Sequence, residues 1–428
     1  RHAVGDTPKD EERSAADLVV ACKSSDAATR LDALRLLMLA LGDFRWKDPP
    51  AEVYTGYSLA APPDDQDKDS YRAEVAIRGW FPSGDERLDR EAARFLAMVE
   101  DIDPVLASSI AAKWTPTSTA TDDMHYLVVY ARLRGDRTNK DTEIVAYAVL
   151  GLDRKLEGQA QRNKQNWNAR LVEVLTDLVK KDEDLPGVLL RNKNFIRPAH
   201  VALTACFDDA HRKQAARLFL DAVKKDDDFA WSGPLIDLLA LLPADEVRPV
   251  FRGQWSNIGL RDALLLRLVE KPEEGDREKF LTGLESGQSQ VVAVCLQALT
   301  QLPRDEAPEH LVPLVRLLRQ LTQEPKEKGL RAQVCALLAR QTGRPFAVKE
   351  GADDPAALKH TYDPVFVWFE KAHPKLAAAA QGGGDDPAMW AALLQTVPWD
   401  KGDGARGGAV FRARACVTCH TGTTRLGP

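Results

Sequence analysis

One segment of the chain returns. Asp177-Leu-Val-Lys-Lys-Asp-Glu-Asp184 comes back as Asp221-Ala-Val-Lys-Lys-Asp-Asp-Asp228, 44 residues later, and a weaker echo, Arg267-Leu-Val-Glu-Lys-Pro-Glu-Glu274, follows after 46 more. A second echo pairs Leu242-Pro-Ala-Asp-Glu246 with Leu302-Pro-Arg-Asp-Glu306. Each copy of the first segment closes an amphipathic helical pattern. Lysines in a last turn suit the negative end of the helix dipole, and the acidic residues after them suit the start of the next helix. A period of this length is one pair of helices. A single pair cannot bury its apolar face, so neighbouring pairs must stack into a continuous core. The competing reading is a compact helical domain whose acidic turns coincide by chance, because such turns are degenerate.

Helical spacing extends over 88–381. Leu171, Val174, Leu175 and Leu178 share one face, as do Leu311, Leu314, Val315, Leu318 and Leu321, and as do Val292, Cys295, Leu296, Leu299 and Leu302. Leu242-Pro243, Leu302-Pro303, Glu324-Pro325 and Thr342-Gly343 punctuate these stripes. The expected fold is all-α, a HEAT-like helical repeat solenoid. Residues 1–42 read as one more helix pair, with Leu31, Leu34, Met38 and Leu41 on a face. Residues 43–87 read as an extended linker, because Pro49-Pro50, Pro62-Pro63 and the run Asp64 to Asp69 favour solvated chain. A Gly-rich linker with a short helix spans 382–401, and a small separate unit begins at Gly402 and runs to 428.

Composition narrows the function. The chain has 428 residues, 44% apolar and 29% charged, which excludes disordered and collagen-like classes. With 58 basic against 64 acidic residues, the net charge of −6 has nothing to attract nucleic acid or an anionic membrane. No apolar run reaches the roughly 18 residues of a spanning helix; Leu235 to Leu242 is broken by Asp237. The opening Arg1-His2-Ala3 and the stop at Pro428 read as a piece of a longer protein.

The chemistry sits near the end, in Cys416-Val-Thr-Cys419-His420. This is C-x-x-C-H, the covalent attachment signature of c-type haem. Two thiols three positions apart on a tight turn can reach the two vinyl groups of the porphyrin and form thioethers. The next residue then places an imidazole under the iron. Zinc would want a second ligand pair, and no second C-x-x-C exists. A redox dithiol would want a βαβ context, whereas the flanks are helical and glycine-rich.

Gly407 four residues before Phe411, then Cys416-x-x-Cys419-His420, then Gly427-Pro428, resembles the N-terminal third of a class I cytochrome c. The resemblance implies one haem c. Cys416 and Cys419 would be its attachment residues and His420 its proximal iron ligand, with the Pro428 carbonyl bonded to the other ring nitrogen of His420. Helical repeats followed by this segment are similar to the PVC-type (Pirellula/Verrucomicrobium-type) haem-binding CxxCH proteins. There Leu88 to Met98 and Asp122 to Leu127 resemble the repeat region. That resemblance implies an exported, periplasmic electron-transfer protein. The haem would pass single electrons between a redox partner or fused dehydrogenase domain and an acceptor. The iron's sixth ligand is expected beyond Pro428, since Met38, Met98, Met124 and Met389 all precede the motif. About 27 residues from Gly402 are too few to bury a haem, so 402–428 is expected to pack poorly.

Two rivals remain. In one, the protein is a helical-repeat interaction scaffold and the haem is incidental. In the other, an open iron site performs peroxidase or sensor chemistry. No G-x-S-x-G, Walker or Rossmann fingerprint marks a catalytic site. Cys22, Cys206, Cys295 and Cys335 read as buried small apolar residues. His125, His200, His211, His310, His360 and His373 read as surface or packed helix residues. Asp65-x-Asp67-x-Asp69 has Ser70 and Ala76 where a calcium loop needs Gly and Glu, and reads as solvated linker.

Overall fold

The structure, a computed structural model, describes residues 17–42, 52–60, 68–157, 167–305, 307–346, 351, 354–381, 391, 394–404, 406–408, 420–421 and 424–425. The fold is all-α. The only strands among the described residues are His420–Thr421 and Thr424–Arg425, which pair antiparallel. The chain divides into two compact units, Arg1–Ala230 and Trp231–Pro428.

The first unit contains α1 (Ala27–Leu41), α2 (Lys68–Arg78), α3 (Glu86–Met98), α4 (Pro104–Ala111), α5 (Ala120–Arg132), α6 (Asn139–Leu156), α7 (Trp167–Lys181), α8 (Leu185–Arg191) and α9 (Asp209–Lys225). Side-chain caps start several of them. Asp85 accepts from the amides of Arg87 and Leu88, Thr119 from Asp122, and Thr138 forms a reciprocal capping box with Asp141. Alternate helices stack: α1 on α3, α3 on α5 and α5 on α7 on one side, α4 on α6 and α6 on α8 on the other. The stripe Leu171, Val174, Leu175 and Leu178 of α7 is buried in this stack.

Two differences from the sequence reading have a physical cause. Helix α2 occupies 68–78, inside the stretch read as extended linker. Ala73 and Ile77, one turn apart, are fully buried, and α2 packs on α3. Two well-placed apolar residues outweigh the preceding acidic run, because burial rather than composition decides a short helix. In α1 the buried positions are Ala33, Leu34, Leu37 and Met38, while Leu31 and Leu41 are half-buried. The apolar face is centred on Leu34 and Leu37.

One constellation recurs in the first unit. Asp89, in the first turns of α3, accepts from the Ser83 amide at 2.6 Å, the Ser83 hydroxyl at 2.7 Å and Lys113 Nζ at 2.7 Å. Asp123, at the same place in α5, accepts from the Ser118 hydroxyl at 2.5 Å and from Lys155 Nζ. Each lysine lies at the end of the following antiparallel helix, so each ion pair ties the two ends of a hairpin. Both carboxylates are almost fully buried.

The second unit contains α10 (Gly233–Leu239), α11 (Ala244–Gly253), α12 (Arg261–Leu268), α13 (Arg277–Gly283), α14 (Ser289–Gln301), α15 (Leu311–Leu321), α16 (Lys328–Thr342), α17 (Pro355–Ala372) and α18 (Ala377–Ala380). Again alternate helices stack, α10 on α12, α12 on α14 and α14 on α16. The stripes of α14 and α15 are buried, and Gly343 ends α16 in the left-handed region at φ 72°. Cations from a neighbouring helix satisfy carbonyls left without an intrahelical partner at helix ends in both units. Lys181 donates to the carbonyls of Ala131 at 2.5 Å and Leu133 at 3.1 Å, after α5. Arg340 donates to Leu302 at 2.7 Å, after α14, and the fully buried Arg331 donates to Leu321 at 2.9 Å and Glu324 at 2.6 Å, after α15.

Candidate functional site

Cys416, Cys419, Phe411, Gly427 and Pro428 lie outside the described residues. The backbone of His420 pairs with Arg425 in the short antiparallel ribbon. Ahead of it, Asp403 accepts from the Arg406 amide at 2.9 Å and starts a helical turn through Arg406–Gly408. Gly402, Asp403, Gly404 and Arg406 are exposed. No three His, Cys, Asp or Glu residues gather as a metal site among the described residues. Cys22 and Cys295 are buried free thiols, Cys206 is a half-buried one, and Cys335 is buried. Burial pushes the Cys22 thiol up to about 11 and the Cys295 thiol up to about 12, so neither is a reactive thiolate.

Sequence reasoning did not single out one concavity. It holds about 470 Å³ in the first unit. Helices α3, α5 and α7 lie side by side and each contributes a stripe: Arg90 and Arg94, then Thr121, Met124, His125 and Val128, then Trp167 and Arg170. These spacings of three and four put each set on a single helix face. Residues 52–60 supply the remaining wall through Val53 and Tyr57. That segment is tied down at both ends. The Val53 amide donates to Glu173 at 3.3 Å, and the Ala60 amide to the Leu41 carbonyl at 2.9 Å.

At the centre, Tyr57 Oη lies 2.7 Å from His125 Nδ1. Burial, with Arg94 and Arg90 nearby, holds the His125 imidazole down at about 3, so it is neutral at neutral pH. Burial also raises the Tyr57 phenol. The three guanidiniums are committed to different degrees. Arg90 pairs with Asp122, and Arg170 pairs with Glu52 and with both oxygens of Glu173 at 2.8 and 3.0 Å. Arg94 lies 5.0 Å over the Tyr57 ring and reaches Glu91 only at 3.5 Å.

Of the other histidines, His200 is buried against Phe195, with Nδ1 2.9 Å from its carbonyl. His310 is clamped between Asp305 and Glu278. Both match packed or surface helix-end residues.

No family model and no curated protein matches the chain. Among solved structures, one described as an engineered protein is similar at 14% identity, over 88% of this chain and 95% of its own, with a TM-score of 0.30. Among the described residues, no helix is long and apolar enough to cross a membrane.

Proposed function

We propose that the chain is a c-type haem-binding electron-transfer protein. In this reading a HEAT-like helical-repeat solenoid carries the start of a class I cytochrome c domain, within a larger exported, dehydrogenase-like protein. The observation that carries it is Cys416-Val-Thr-Cys419-His420. The donor set fits the group: two thiols at attachment spacing and an imidazole next in sequence. Haem held here supplies one-electron redox chemistry. Cys416 and Cys419 would anchor it by thioethers, His420 would ligate the iron, and the Pro428 carbonyl would fix the tautomer of that imidazole. Haem attachment of this kind belongs outside the cytoplasm, so the compartment proposed is periplasmic.

The repeat reading is supported by the stacking of alternate helices in each unit and by the matched Asp89–Lys113 and Asp123–Lys155 ties. It is also supported by where the echoed segments fall. Lys180-Lys181 ends α7, Lys224-Lys225 ends α9, and Arg267-Leu268 ends α12. The interaction-scaffold reading has one observation in its favour: Val75 and Val105, both exposed, line a shared groove between α2 and α4.

Export of the chain with its natural flanks, in a host that matures c-type cytochromes, tests the proposal. The Cys416–His420 peptide should carry one haem by mass. Cys416→Ala with Cys419→Ala should abolish the covalent adduct, and His420→Ala should change the iron's ligation spectrum. An unmodified peptide from the wild-type chain would refute the haem reading. A His420→Ala protein that retains its cellular role would favour the scaffold.

A further inference from the structure

We propose that the cavity between α3, α5, α7 and residues 52–60 binds a small aromatic carboxylate. This inference uses no residue of the haem segment and stands whether or not haem is attached. Among the described residues its lining holds three guanidiniums, Arg90, Arg94 and Arg170, and no carboxylate. His125 and Tyr57 face each other across a 2.7 Å hydrogen bond and carry no charge of their own at neutral pH. Apart from Thr121, the rest of the lining is apolar or aromatic: Val53, Met124, Val128 and Trp167 beside the Tyr57 ring.

This combination selects the ligand class. A bare inorganic anion would satisfy a guanidinium but leave the apolar wall against water. A neutral apolar molecule would cover that wall and strip water from the guanidiniums without replacing it, which costs free energy. A ligand with an aromatic body and one carboxylate meets both demands. The ring packs against Trp167 and Tyr57. The carboxylate takes a two-pronged hydrogen bond from a guanidinium fork. Arg94 is the fork for it, because Arg90 and Arg170 already hold Asp122 and Glu173 in closer pairs, whereas Arg94 reaches Glu91 only at 3.5 Å, through Nε. The volume of about 470 Å³ lies within the range of small-molecule sites.

The test is calorimetric titration of the full chain with 2-naphthoate and, separately, with methyl 2-naphthoate. The wild-type protein should bind the acid at one saturable site and the ester about tenfold more weakly or worse. Arg94→Gln should weaken the acid by about the same factor and leave the ester unchanged. Met124→Trp, which fills the cavity while keeping all three arginines, should abolish both. If Arg94→Gln fails to fold by circular dichroism, the acid–ester contrast and Met124→Trp still decide the matter. Absence of saturable binding of the acid overturns the proposal. So does equal binding of acid and ester, or acid binding that survives Met124→Trp.

Discussion

Two histidines respond to pH in opposite senses, and the sign follows from what each one faces. His310 sits between Asp305 and Glu278. Burial lowers its affinity for a proton, but hydrogen bonds and charge from the two carboxylates outweigh that and raise its pKa above the ordinary value. Its stabilising contribution is therefore complete below the unfolded value of about 6.5 and is lost as pH rises through the higher folded value. Chemical denaturation of His310→Gln should show a deficit against wild type at pH 5.5 that shrinks by pH 8.5. His125 is the reverse. Its folded pKa is pushed down to about 3 by burial first, then by Arg94 and Arg90. Its contribution is present above about 6.5 and falls by about 1.4 kcal/mol per unit as pH drops below that, towards the folded value. His125→Gln should flatten the acid side of the stability curve. Asp276 is a third titratable group and is fully buried. Burial alone would raise its carboxyl, yet hydrogen bonds from Arg252 and Arg248, at 2.6 to 2.8 Å, hold it below its usual range. Asp276→Asn leaves Arg248 buried beside a neutral amide. Urea denaturation should show a loss of about 3 to 5 kcal/mol; a loss within error of zero would mean the network is solvated.

At the level of helices, the apolar stripes were legible because burial at 3.6-residue spacing leaves a direct trace, as in Leu171 to Leu178 and Leu311 to Leu321. Helix α2 was not, since among its described side chains the buried ones are Ala73 and Ile77, within a polar stretch. The lysines at the ends of helices were legible as dipole partners, but Lys181 serves the end of α5 rather than only its own helix. No local rule ties position 181 to position 131. The Asp89–Lys113 and Asp123–Lys155 ties were hidden for the same reason, their separations being 24 and 32 residues. Close packing supplies a prediction here. A Cβ at Gly283, on α13, would stand 2.5 Å from Cys295 Sγ on α14 and 2.8 Å from Leu265 Cδ1 on α12. Gly283→Ala should destabilise the protein by about 1 to 3 kcal/mol despite alanine's better helix propensity. A gain in thermal midpoint would show that the three helices can separate.

For the molecule as a whole, the all-α class was readable from periodicity and turn signals. The division into two units at Ala230–Trp231 left no comparable trace, because helical patterning continues on both sides of it. The cavity was unreadable too. Arg90, Tyr57, His125 and Trp167 come together only because α3, α5 and α7 stack and residues 52–60 fold over them. The segment Cys416 to His420 is the opposite case, a five-residue pattern from which the proposed haem chemistry is read by spacing alone. A single measurement reaches the account's central claim: the pyridine haemochrome spectrum of the chain, exported with its flanks under cytochrome-maturing conditions. The account predicts a thioether-type spectrum with one haem per chain, lost in Cys416→Ala with Cys419→Ala. A colourless wild-type protein would contradict it.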